Sequence, residues 1–432
     1  MLYTPVPLLC SRQGAMRQDT DKTNLSPVIA WAVAITATLT MAVSYADRQA
    51  FAVLAPTVTK ALAISETTYG WLLSAFSCAY LVGAPLAGRW IDRVGAKRGL
   101  VVAVLVWSGV AALHALVPGV HAVIPAIAVL FTLRIGLGLA EAPSFPGAAQ
   151  TVQRILPPAS RPRGFGVLFI GSSVGAMVVP ALCGWLNSRW GFRAAFVGVA
   201  VGGLLWLPLW IYMTRLRGVA SQLATKDASE TAEPPSLGSL LRHPAVLRAM
   251  AVVLAAAPLM SYGLNWSAKY LAAIHHIAQG DLGHYLWLPP LLYDLGSLGF
   301  GHLASIRARK NQIRPTPPLV LVGVACTVGL SLAAISSASS AMTAAAVFGV
   351  AMAGGGGLFA LVTADCLARV PANAVSAAAG SLASAQSVAY IIASPLIGYG
   401  VAHVGHDHVA IYLAFWLLPG CAAWLWPRPV PA

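Results

Sequence analysis

Apolar residues run along this chain in long unbroken stretches, with polar residues confined to short gaps between them. Twelve stretches of about 20 residues, enough to cross a ~30 Å hydrocarbon core, can be drawn. They lie at 28–54, 69–90, 98–117, 122–147, 163–186, 193–213, 245–268, 283–304, 317–336, 340–362, 375–399 and 408–427. Most gaps are brief. The exception, 215–244, holds Lys226, Asp227, Glu230, Glu233 and the pair Pro234-Pro235. The pattern predicts an all-α membrane protein of twelve transmembrane helices in two six-helix bundles. A tail (1–27), a first bundle (28–214), a cytoplasmic linker (215–244) and a second bundle (245–432) follow from it.

Composition agrees. Hydrophobic residues make up 58% and charged residues 9%, against about 45–50% and about 25% in soluble domains. So little charge cannot clothe a soluble surface, which excludes a cytosolic enzyme, a secreted disulfide scaffold and a disordered interaction protein. The six cysteines, Cys10, Cys78, Cys183, Cys326, Cys366 and Cys421, are scattered. No Cys-x-x-Cys or Cys/His ligand spacing occurs, so no metal site is expected and the thiols read as small packing groups.

The net charge of +14 changes the picture only through its distribution. Lys60, Arg189 and Arg193 fall in loops on one side, and Arg48, Arg134 and Lys269 fall within or at the ends of spans. Every other Lys and Arg falls on the side shared by the termini and the 215–244 loop, including Arg89, Arg93, Lys97, Arg98, Arg161, Arg163, Arg307, Arg309, Lys310 and Arg314. Under the positive-inside rule both termini are expected in the cytoplasm, and the basic balance needs no nucleic acid. Residues 1–27 lack the basic lead of a signal peptide and read as a tail, with Met16 a second candidate start. Most histidines, His114, His121, His275, His276, His403, His406 and His408 among them, lie near expected span ends and read as interfacial.

The chain also repeats itself. Gly88-Arg89-Trp90-Ile91-Asp92-Arg93-Val94-Gly95-Ala96-Lys97-Arg98 follows span 2, and Gly301 to Lys310 follows span 8 with a similar basic tail, Ser305 replacing the aspartate. Matching loops in two six-span halves predict a parallel repeat, the arrangement in which transporters bind substrate between halves.

Ionisable groups inside spans are costly, about 2.5–3.5 kcal/mol each on insertion scales, and so mark function. Span 1 carries Tyr45-Ala46-Asp47-Arg48, span 4 carries Arg134 and Glu141, span 8 carries Asp294, and span 10 ends near Asp365. Arg134 and Glu141, seven apart, share one helix face. Asp47 and Arg48 cannot point the same way. One arrangement sends Arg48 toward a central cavity, where its fork suits a carboxylate, and Asp47 toward Arg134. Asp47 and Glu141 are then the candidate proton carriers, because burial and a neighbouring arginine act oppositely on a carboxyl. Tyr45 and Tyr80 can offer phenols to hydroxyl groups. Gly136, Gly138, Gly171, Gly175 and Gly354 to Gly357 allow close helix contact. Lys269 reads as snorkelling from a span end.

The loop from Gly88 to Arg98 resembles the signature loop of the major facilitator superfamily, in which the aspartate and arginines latch the halves on the cytoplasmic side. The resemblance assigns gating to Gly88, Asp92 and Arg93. Residues 47–76, 88–99, 107–116, 134–152 and 190–196 further resemble the anion:cation symporter family, nearest to bacterial hexuronate transporters. The second half matches through Lys269-Tyr270-Leu271 and Asp294-Leu295-Gly296-Ser297. The resemblance implies that Arg48 binds the substrate carboxylate and that Asp47 and Glu141 carry protons, with Arg134 as partner. It also places Tyr45 and Tyr80 on the cavity wall. Where that family has EAGNFPG, this chain has Glu141-Ala142-Pro143-Ser144-Phe145-Pro146-Gly147. Pro143 adds a helix break, and span 11 offers Ser384, Gln386 and Ser387 to substrate.

The resemblance thus implies a monomeric, multi-pass symporter in a bacterial inner membrane. It would import a small organic anion, a hexuronate before an aldonate, with protons as the driving ion and no cofactor. An organophosphate antiporter would need a second cavity arginine. A non-transporting sugar-acid sensor would need an output domain. An enzyme would need a nucleophile–base pair, a metal set or a phosphate loop, and the sequence shows none.

Overall fold

The computed structural model describes residues 25–118, 123–157, 160–224, 237–310, 319–370 and 375–425. The tail, Met16, Cys10, His121, Arg314, residues 371–374 and the charged centre of the 215–244 linker lie outside the described residues. So do the side chains of Ser305, Arg307, Arg309 and Lys310.

Among the described residues, helical segments stand at each of the twelve expected spans, and nine helices are long and apolar enough to cross a membrane. Spans 1 to 3 are the helices Pro27–Val53, Glu66–Val94 and Ala96–Leu113, the last extended by a 3-10 turn, His114–Leu116. Span 4 is Val123–Glu141 followed by Ser144–Ile155, broken beside Pro143 as the sequence predicts. Spans 5 and 6 lie in Arg161–Arg215, which turns at Gly191. Span 7 is Pro244–Asn265 with Ser267–Ile274, and span 8 is Leu288–Lys310. Spans 9 to 11 are Leu319–Gly329 with the 3-10 segment Leu330–Ser337, Ala341–Arg369 and Val375–Val404. Span 12 is His406–Phe415 with Leu417–Leu425.

Local chemistry sets the ends. Ser26, Ser65 and Ser340 cap spans 1, 2 and 10 by accepting from the backbone N–H three residues on. Three tight reversals use glycines at positive φ: Gly95 (φ 82°) between spans 2 and 3, Gly191 (φ 80°) between 5 and 6, and Gly405 (φ 84°) between 11 and 12. Gly191 and Gly405 occupy equivalent places in the two halves, which extends the internal repetition.

The halves meet chiefly at the end away from the Gly88–Arg98 loop. Gly70 of span 2 lies flush against the Ser394 carbonyl of span 11, and Gly398 against that of Glu66. The Tyr69 hydroxyl donates to the Asn265 carbonyl (2.7 Å) and Ser74 Oγ to that of Ile391 (2.6 Å). Thr57 Oγ1 donates to Gln279 Oε1 (3.0 Å), and Gln279 Nε2 donates to the Val53 carbonyl (2.7 Å). One apolar core accordingly runs from Phe51, Leu54 and Leu72 into Trp266, Tyr270 and Phe348 of the other half, while a second stays within the first half around Trp107, Leu137 and Trp210.

Lys269 corrects the sequence reading. It does not snorkel. It is 6% exposed, its Nζ lies 2.9 Å from Glu66 Oε1 and donates to Thr59 Oγ1 at 2.9 Å, and it sits over the Tyr69 ring. His114 and His406 are likewise buried rather than interfacial. His114 packs between Phe51 and Phe196, and His406 Nδ1 lies 3.0 Å from the Tyr262 hydroxyl.

Candidate functional site

Span 1 supplies the centre of the site. Residues 44, 45 and 48 lie within about one helical turn, so Ser44, Tyr45 and Arg48 gather on one side while Asp47 turns away. The Arg48 guanidinium stands over the rings of Tyr45 (4.6 Å), Phe76 (4.7 Å) and Tyr80 (4.8 Å), an aromatic cage that holds a planar cation by its π-faces. Its side chain keeps 20% exposure. Both Nη2 (3.1 Å) and Nε (3.4 Å) donate to Glu141 Oε2, which also accepts from Ser44 Oγ at 2.9 Å. Glu141 is fully buried, and its other oxygen, Oε1, is unpartnered.

Arg134 is 2% exposed and lies over Phe51 (4.6 Å) and Phe76 (4.8 Å), with Nε and Nη1 making no hydrogen bond. The expected Asp47–Arg134 pair is absent. Asp47 is 4% exposed, and neither of its oxygens has a hydrogen-bond partner. Its surroundings include the Glu141 carboxylate, the Trp107 indole and Cys183. The physical reason is angular. Adjacent residues diverge by about 100° on a helix, and Arg48 takes the direction that reaches Glu141. Phe76 stands between the two arginines, in contact with both.

The second half contributes two side chains the sequence reading did not single out. Tyr293 and Tyr390 lie within electrostatic range of Tyr45, and Tyr390 also within that of Arg48. Gln386 Nε2 donates to the Tyr390 hydroxyl at 3.1 Å, which brings that predicted residue to the wall. Ser384 is exposed and makes none of these contacts, and Ser387 returns its hydroxyl to the Ala383 carbonyl. Asp294 Oδ1 accepts from Ser173 Oγ at 2.8 Å, joining span 8 to span 5 across the seam. Asp365, by contrast, pairs with Arg369 on its own helix (2.8 Å). A signal for Tyr293 existed in its position beside an intramembrane aspartate.

The candidate gating residues sit at the open end. Asp92 Oδ1 accepts from Gln150 Nε2 (3.1 Å), while Gln150 Oε1 accepts from the Ala96 N–H (2.9 Å), so the loop is braced to span 4 of its own half. Arg93 is exposed, and Gly88 has open space where a side chain would stand.

Chemically this is a seam between two bundles, lined by phenols and one caged guanidinium, with that guanidinium neutralised by a buried carboxylate. Residues 37–394 match the family described as Major Facilitator Superfamily. Among curated relatives, the Bacillus subtilis protein named "Probable galactarate/D-glucarate transporter GudP" is 24% identical over 91% of this chain and 92% of its own length. The hexuronate transporter of Escherichia coli K12 is 24% identical over 69% of this chain and 71% of its own, and the galacturonate transporter of Dickeya chrysanthemi 24% over 62% and 79%. The fold matches a bacterial homologue of the human lysosomal transporter Spinster, solved inward-facing and unoccupied, with a TM-score of 0.77 at 16% identity over 93% of this chain and 97% of that one. It also matches the xylose transporter XylE of Escherichia coli, partially occluded and inward open, with a TM-score of 0.68 at 15% identity over 93% and 98%. With its twelve helices in two bundles and the family match running through both, the chain belongs to the Major Facilitator Superfamily.

Proposed function

We propose that this protein is a proton-coupled symporter that imports a sugar acid, foremost a hexuronate, by alternating access. The relatives named for hexuronate, galacturonate and galactarate or glucarate transport support the substrate class. The observation that carries the mechanism is the Arg48–Glu141 pair. Arg48 is the one guanidinium of the pair Arg48 and Arg134 that keeps exposure, and a substrate carboxylate needs its fork. In the described state Glu141 Oε2 occupies that fork. Protonation of Glu141 weakens the pair and frees Arg48; an anion taking Arg48 in turn leaves Glu141 to a proton. Two ligands that compete through one guanidinium are thermodynamically linked, and the linkage is reciprocal. Asp47, buried and unpartnered one residue away, is the second carrier.

With the orientation read from the basic loops, the joined end faces outward and the described state is inward-open. The second cation that an organophosphate antiporter requires has no support, since Lys269 is committed to Glu66.

The test is Glu141→Gln in proteoliposomes. Symport predicts loss of gradient-driven galacturonate accumulation with retained counterflow of labelled for unlabelled substrate. Loss of both together would leave Glu141 a structural partner of Arg48. Full accumulation would move the proton to Asp47, and gradient-independent uptake by the unaltered protein would end the symport reading.

A further inference from the structure

The relatives divide between acids with one carboxylate, the hexuronates, and acids with two, galactarate and glucarate. Galacturonate and galactarate share a carbon skeleton. They differ at C1, which is a hemiacetal or aldehyde carbon in the first and a carboxylate in the second. A site that tells them apart must therefore read the end of the molecule remote from the shared carboxylate.

Arg48 on span 1 engages one end. Across the seam, Tyr293 of span 8 lies within electrostatic range of Tyr45, and the next residue, Asp294, partly buried, accepts from Ser173 Oγ of span 5 at 2.8 Å. No arginine, lysine or histidine pairs with Asp294 among the described residues. Its described partner is a neutral hydroxyl on Oδ1, and Oδ2 is not among the buried unpartnered atoms. The other cations near the seam are committed. Arg134 is 2% exposed over Phe51 and Phe76, and Lys269 is 6% exposed and bound to Glu66. The remote wall is thus the Asp294 carboxylate with the Tyr293 phenol on the next residue, and among the described residues no cation pairs with Asp294. Such a wall accepts hydrogen bonds from hydroxyl groups and repels a second carboxylate.

We propose that Asp294 is a specificity-determining residue that admits sugar acids with one carboxylate and a hydroxyl-bearing far end, and rejects the dicarboxylates. The selection works mainly by repulsion, which separates close analogues better than added attraction does. Ser173 is the positioning residue. Gly171 and Gly175, on either side of it, pack against Thr38 and Ala42 of span 1 and fix the stretch of span 5 from which it projects.

This inference rests on the sugar-acid reading of the site, and the experiment separates the two. Purified protein in proteoliposomes would be loaded with galacturonate, and counterflow of labelled galacturonate competed with galacturonate or galactarate. The unaltered protein should require about 10-fold or more galactarate for equal inhibition, a modest share of what a like-charge contact costs. Asp294→Asn keeps size and hydrogen bonding and should bring the two acids to within about 3-fold of each other. Asp294→Lys should favour galactarate. Ser173→Ala keeps the charge but releases Asp294 Oδ1, and should narrow the preference less than Asp294→Asn does, which tests the site if the lysine variant folds poorly. A preference for galacturonate that is unchanged in Asp294→Asn overturns the assignment, as does galactarate competing equally in the unaltered protein. Absence of counterflow with either acid overturns the sugar-acid reading and this inference with it.

Discussion

Lys269→Met should open the joined end of the molecule. The methionine preserves the volume of the stem and removes the ammonium that holds Glu66 and Thr59 across the seam. At 2.9 Å and an effective dielectric constant of about 20 the gross attraction is about 6 kcal/mol. Much of it is offset by the desolvation of a lysine that is 6% exposed. Truncating one partner costs about 3–5 kcal/mol in a fully buried pair and about 0.2–1 kcal/mol in an exposed one. Glu66 is 30% exposed, so this pair lies between those limits, at about 2 kcal/mol. The bond exists only while the halves are joined there, so its loss should move the conformational equilibrium by about 30-fold toward the state open at that end. Ser267, 4% exposed at the seam, provides the reporter. Ser267→Cys in an otherwise cysteine-free background should be labelled by a membrane-impermeant maleimide much faster once Lys269→Met is added. A double cycle with Glu66→Gln should show strong coupling, because either change alone removes the same contact. Equal labelling rates with and without Lys269→Met, in protein of unchanged thermal stability, would refute the gate.

Arg48→Lys should weaken galacturonate binding by about 100-fold although charge is conserved, because an ammonium cannot fill the three-ring cage or present two parallel donors; calorimetric titration reads this. Gly70→Val should favour the state open at the joined end, since its Cβ would collide with the Ser394 carbonyl, and the Ser267→Cys reporter should label faster. Asp92→Asn should act in the opposite direction. The Asp92–Gln150 contact lies within one half, so a latch between halves would operate in the other state, and labelling should slow. Tyr390→Phe should release Gln386 and raise the KM for galacturonate by about 3- to 10-fold, the loss of roughly one neutral hydrogen bond, with gradient coupling unchanged in the same uptake assay.

The spans were legible because the bilayer forces every backbone polar group into a helix, so hydropathy alone draws the elements. Pro143 was legible for a local reason, because it interrupts a helix. Arg48 and Glu141 stood out because intramembrane charge is rare. What sequence spacing could not give was which charge meets which. Asp47 and Arg48 each had a direction to take, and the choice was decided by the distance between spans 1 and 4, a tertiary quantity. Lys269 illustrates the same limit. A lysine near a span end looks identical whether its ammonium reaches the interface or an acid on the opposite bundle. The clue was present in Glu66, a lone acid opening span 2 at the same level, but joining the two requires knowing that spans 2 and 7 meet. Tyr293 and Tyr390 were hidden for a related reason, because aromatic residues are common in spans and the cavity face of span 8 is set by packing.

These contacts fall into two energetic classes, and the distinction decides how variants must be read. On the proposed reading, Arg48, Tyr390 and Gln386 line the substrate site, so their loss should change intrinsic affinity. Lys269, Gly70 and Gln279 touch the opposite half at the joined end, so their loss changes the fraction of molecules in each state. The apparent Kd is the intrinsic Kd divided by the competent fraction, and either class can therefore mimic the other in a simple binding curve. Combination separates them. A competent fraction cannot exceed unity, so two gate variants such as Lys269→Met and Gly70→Val should saturate, the second adding little once the first has shifted the population. A gate variant joined to Arg48→Lys should instead multiply, since one factor acts on the fraction and the other on the contact. Two seam variants that multiplied without limit would show that the joined end forms part of the binding surface itself.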